Sequence, residues 1–161
     1  MAKESNINIL KKEYKKIQKK HGLPDFERLN EDFQIEKISE SETEILIREV
    51  RKFMSEKFSN YFRFVEVILH PVNAPMFIFS IVKLITPEEK NKLTVIYKRL
   101  AEAEISLIEL DTHFVEKKEA DFIKHYYNLW QDVKKDMLEV IDAIKKNWDN
   151  KLEGNSRNYF G

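Results

Sequence analysis

Apolar residues recur along this chain at spacings of three and four, the period of a helix that turns one face to a core. Ile7, Leu10, Tyr14, Ile17 and His21 form a first spine, and Gly22 followed by Pro24 stops it, which predicts a helix over about residues 5–21. Residues 24–40 carry one short helical turn around Phe26 to Asn30 and then an acidic connector with no regular pattern. Ile47, Val50, Met54, Phe58, Tyr61, Val65 and Ile68 predict a long helix over about residues 42–70. Two overlapping capping boxes in "SESETE", Ser39 with Glu42 and Ser41 with Glu44, would open it, and Pro71 would close it. Asn73 is the expected cap of a short helix in "APMFIFSIVKLI", and Thr86, Pro87 and Glu89 mark a further helix start.

That helix carries Leu93, Ile96, Leu100, Ala103, Leu107 and Leu110, and the last one carries Ile123, Tyr126, Trp130, Val133, Met137, Val140 and Ile144. Both sets follow the heptad seam of helices packed at shallow angles, and the short connection near "DTHFVE" favours an antiparallel hairpin. The final helix is expected to reach about Leu152, ahead of Gly154, a length of about 54 Å at 1.5 Å per residue. The pattern predicts an all-α fold, an elongated antiparallel helical bundle with three long helices and two or three short ones. Residues 1–153 would form a single domain and residues 154–161 a flexible C-terminal tail.

With 161 residues the chain can bury a core without metal or disulfide support, and it has no cysteine to supply either a disulfide or a thiolate site. The N-terminus lacks the apolar run and cleavage site of a signal peptide, so a cytoplasmic protein without membrane attachment is expected. Lys plus Arg and Asp plus Glu stand at 28 each, so any charge that matters is local. The clearest local excess is "KKEYKKIQKK" at residues 11–20. At 100° per residue its six lysines fall on one half of a helix and Leu10, Tyr14 and Ile17 on the other, the arrangement of a solvated face. Residues 25–44 hold eight acids against Arg28 and Lys37, enough to neutralise that face within the chain. The alternative is a phosphate-binding face, with Lys12, Lys16 and Lys20 as the nucleic-acid contacts.

Three carboxylate–histidine pairs stand at i,i+4: Glu66 with His70, Glu109 with His113, and Asp121 with His125. The last two flank the expected hairpin, so Glu109, His113, Asp121 and His125 are the candidate metal ligands. Against this, the di-iron bundles use Glu-x-x-His with further inward glutamates, and the seams here are aliphatic; surface pairing is the simpler reading and no cofactor is expected. No phosphate-binding glycine loop, nucleophile elbow or H-E-x-x-H motif occurs.

The segment "PMFIFSIVKLI" is apolar on most sides and too short to span a bilayer, so it must be surrounded. Burial against the chain's own helices is the first expectation. Otherwise Met76, Phe77 and Phe79 would anchor a homodimer or a protein partner. Tyr159 and Phe160 in the tail are a second pair of interaction candidates beside the simpler reading of a frayed end. The functional expectation is a non-enzymatic protein–protein interaction module, adaptor or complex subunit. The alternatives are a nucleic-acid-associated accessory factor and a metal-binding helical bundle.

Overall fold

The computed structural model describes the backbone of residues 2–159 and the side chains of residues 4–152. Among these residues every regular element is a helix, so the fold is all-α. In chain order the elements are α1 (Ala2–His21), α2 (Phe26–Phe33), a 3-10 helix (Ile35–Glu40), α3 (Leu46–Leu69), α4 (Met76–Val82), α5 (Pro87–Thr112) and α6 (Glu116–Tyr159).

The ends of these helices have local causes. Gly22 adopts a left-handed φ of 67° and its N–H reaches Gln18 O at 2.8 Å, closing α1. Tyr14, buried, then donates its hydroxyl to Pro24 O at 2.5 Å and fixes the turn. At the start of α5 the Glu89 carboxylate accepts from both the backbone N–H and the hydroxyl of Thr86, with Pro87 in the first turn, as the sequence predicts.

Several boundaries differ from expectation. The acidic connector is not irregular: residues 35–40 wind into a 3-10 helix because Ile35 and Ile38, three apart, are both buried. The serines expected to cap α3 serve this helix instead, Ser39 donating to Glu36 O at 2.7 Å and Ser41 to Ile38 O at 3.4 Å. Hence α3 begins at Leu46, later than about residue 42. Asn73 does not cap α4; it takes a left-handed turn at φ 58°, and Pro75 stands at the helix entrance with no side-chain cap. Gly154 does not end α6, which continues to Tyr159. The side chains of the tail candidates Tyr159 and Phe160 lie outside the described residues.

The chain divides into two compact units, one formed by Met1–Asn60 and Glu102–Trp130, the other by Tyr61–Ala101 and Gln131–Gly161. The first is centred on Phe58, fully buried, whose ring lies 5.6 Å from Trp130, 5.7 Å from Phe33, 6.1 Å from Tyr126 and 6.2 Å from Phe122. Tilted and edge-on geometries let five rings share one site without electrostatic conflict. The second unit buries Val65, Ile68, Leu93, Ile96, Leu100, Val133, Met137 and Val140, and stacks Phe62 on Tyr97 at 5.0 Å. Within each unit α5 meets α6 in reverse sequence order: Ser106 with Tyr126 and Glu109 with Lys118 in the first, Lys92 with Glu139 and Arg99 with Asp136 in the second.

Replacing Phe58 by Ala is expected to cost about 3–5 kcal/mol of unfolding free energy in a urea titration, because the remaining rings cannot collapse into its volume. Phe77→Ala, at a position 63% exposed, should stay within about 0.5 kcal/mol in dilute solution. Similar losses in the two variants would contradict this core.

Candidate functional site

The α4 segment is half anchored and half bare. Ile81 and Leu84 are buried, and Leu84 O accepts a hydrogen bond from Asn147 Nδ2 of α6 at 2.9 Å. Beside these anchors the helix leaves large apolar side chains in water: Met76 is 83% exposed, Phe77, one turn before Ile81 on the same side, 63%, and Phe79 38%. Burial against the chain's own helices therefore holds for part of the segment only. Phe77 and Ile81 face Ile144 and Trp148 of α6 across a groove of about 400 Å³, whose rim carries Lys145 and Asp149. Neither of these two forms an ion pair among the described residues. Leu152, one turn beyond Trp148 on α6, is also exposed. The floor of this surface is apolar and its rim carries one charge of each sign, a combination suited to desolvating contact.

The lysine face lies on the first unit. Lys16 pairs with Glu13 at 2.7 Å, and Lys20 pairs with Glu116 at 2.9 Å; Lys12 is exposed. Of the acid-rich stretch at 25–44, Glu27 meets Lys11 at 2.6 Å and Asp25 accepts from Gln18 at 2.7 Å. The counter-charge to Lys20 thus comes from α6, a position the chain order does not suggest. His21 Nε2 also contacts Glu116 Oε1, at 2.8 Å. The hydrogen bond from His21, then that from Lys20, holds the Glu116 carboxyl below its ordinary range.

The four metal candidates do not converge. Glu109, Asp121 and His125 line one cleft of about 290 Å³, but His113 does not, and Lys118 enters the cleft to pair with Glu109. The Lys118 hydrogen bond holds the Glu109 carboxyl below its ordinary range. Asp121 pairs with Lys124 at 3.3 Å, and His125 stands edge-on to Tyr126 with centroids 4.7 Å apart. No group of three or more His, Asp or Glu side chains among the described residues is placed to hold a metal ion. A cation already occupying the carboxylate would oppose one.

The most unusual polar feature is one the spacing analysis missed. Arg51 of α3 and Glu119 of α6 are both fully buried, joined by Nε to Oε2 at 2.7 Å and Nη2 to Oε1 at 3.3 Å. Asp111 of α5, more than half exposed, takes the other edge of the guanidinium at 2.9 Å. Burial pushes the Arg51 pKa down, but the hydrogen bond and charge of Glu119, joined by Asp111, outweigh it and raise the value. The two buried charges, Arg51 and Glu119, are thus each held by a partner of opposite sign, and Asp111 closes the cluster on its solvent side.

No protein-family model, curated protein or solved structure matches this chain. No helix among the described residues is long and apolar enough to cross a membrane.

Two outcomes follow from the polar clusters. Arg51→Met leaves the Glu119 carboxylate buried without its partner and is expected to cost about 3–5 kcal/mol, whereas adding Glu119→Leu should restore much of that loss. Equal or additive losses in a denaturant double-mutant cycle would contradict the pairing. Glu116 has a folded pKa below its unfolded one, so its contribution is complete above the unfolded value and fades as pH falls through the folded value. Melting temperature should therefore fall less steeply below about pH 5 in Glu116→Gln than in the parent chain.

Proposed function

We propose that this chain is a non-enzymatic protein–protein interaction module, an adaptor or subunit, which docks through the groove between α4 and the C-terminal half of α6. The observation that carries this reading is the exposure of Met76 and Phe77 beside a preformed apolar groove. A solvent-facing helix of a folded domain ordinarily turns polar residues outward. On α4 the outward residues are methionine and phenylalanine, side chains enriched at interface centres, and Ser80 is the one polar residue among them. Leaving them in water forgoes roughly 25 cal/mol for each Å² of apolar surface, an amount recovered when a partner covers them. The surface is also supported from beneath. Ile81 and Leu84 are buried and Asn147 holds the end of the segment, so its geometry is set before any partner arrives.

Photo-crosslinking tests the reading directly. A benzoyl-phenylalanine placed at Met76, in cells of the chain's own host, should yield a discrete adduct, and the same probe at the exposed Lys15 of α1 should not. Absence of any discrete adduct at Met76 in a folded, abundant protein would remove the α4 surface from consideration.

A further inference from the structure

The groove on the second unit carries its own complement. Lys145 and Asp149 stand four residues apart on α6, both exposed, both lining the groove and neither ion-paired among the described residues. Lysine N-terminal to the acid is the less favourable order for pairing within a helix, which accords with their remaining apart. Two other charges of α6 in this unit are engaged, both by α5: Glu139 meets Lys92 at 2.7 Å and Asp136 meets Arg99 at 3.7 Å.

We propose that the occupant of this groove is a second copy of the chain, in a twofold contact that sets Lys145 of each copy against Asp149 of the other. The inference rests on the interaction reading above and names its partner. A twofold contact brings residue i against j and j against i, so a rim with one positive and one negative charge satisfies both ends at once. With the axis passing between the two charged positions, α6 of one copy runs antiparallel to α6 of the other, and Trp148 lies beside its counterpart. Met76 and Phe77 then cover the flanks. The formal net charge of zero means that two copies meet without long-range repulsion.

The area is adequate. With whole aromatic side chains burying 150–250 Å², the exposed parts of Met76, Phe77, Trp148 and Leu152 amount to roughly 500 Å² per copy. Two copies bury about 1,000 Å², which reaches the lower bound for a specific interface and describes a dimer in concentration-dependent exchange rather than an obligate one.

Sedimentation equilibrium on the full chain and on two single variants tests the contact. The parent chain should show a monomer–dimer equilibrium. Lys145→Asp gives each copy an all-negative rim and Asp149→Lys an all-positive one, so each variant alone should associate about a hundredfold more weakly. Mixed in equal amounts, the two should regain a dimer containing one chain of each kind. Unchanged helicity by circular dichroism excludes unfolding as the cause of the separate losses. A parent chain that stays monomeric at about a hundred times the concentration used for circular dichroism, variants that dimerise like the parent, or a mixture that fails to associate would each overturn the proposal. The Met76 crosslink separates the two readings: with a monomeric parent, an adduct to a protein of a different mass sinks the second copy and leaves the interaction module standing, whereas no adduct sinks both.

Discussion

A guanidinium group taken out of water must be met on every edge, and this requirement at Arg51 constrains the first unit more tightly than any apolar contact. Apolar side chains tolerate small slips, because dispersion and solvent exclusion have no preferred direction. The fork between Arg51 and Glu119 does not: its two bonds fix the height of α3 against the opening turns of α6, and the bond to Asp111 fixes the last turn of α5. An isolated charge at either place would be prohibitive, so the three helix ends must assemble together. The pair contributes specificity of register more than net stability, since an apolar replacement of the same volume would serve as well energetically.

Once that register is set, the aromatic cluster follows. Arg51 and Phe58 lie two turns apart on one face of α3, and Glu119, Phe122, Tyr126 and Trp130 follow one another along α6 at the same periodicity. Fixing the first pair therefore brings Phe58 opposite the three rings of α6. Lys57 then spans the rings of Phe33 and Trp130, at 5.8 and 5.3 Å, and donates to Asp32 O. Here a lysine covers aromatic faces with its stem and its charge satisfies a carbonyl at the end of α2. The second unit has no buried charge among its described residues; its Lys92–Glu139 and Arg99–Asp136 pairs are peripheral to an aliphatic seam.

The seams of α3, α5 and α6 are visible in the sequence because periodic apolar positions report burial directly: Val50, Met54, Phe58, Leu93, Leu100, Ile123 and Val133 are all buried. The Thr86–Glu89 cap is visible for a similar reason, a short-range motif with a single geometric solution. The serines of "SESETE" show the limit, since the same hydroxyls suit the end of one helix as well as the start of the next, and buried Ile35 and Ile38 decide between them. Arg51 and Glu119 could have been found. Arg51 falls four residues after Ile47 and three before Met54, and Glu119 four before Ile123, so each interrupts a buried seam with a charge of opposite sign. What periodicity does not carry is which distant acid meets which lysine, and Glu116 opposite Lys20 is set by tertiary placement alone.

The bare face of α4 is best understood against this economy of polar contacts. At Arg51 the chain supplies two carboxylates, at the end of α1 a left-handed glycine, and at the start of α5 a threonine with its glutamate. Such consistency across levels leaves the exceptions conspicuous, and exceptions to local folding rules concentrate where a molecule does something besides fold. Met76 and Phe77 stand mostly in water on a helix whose Ile81 and Leu84 are buried, and Phe79 is partly covered. Three large apolar side chains thus stand on a short helix whose groove is rimmed by two charges of opposite sign that form no ion pair among the described residues. That juxtaposition is what the proposed contact with another surface rests on.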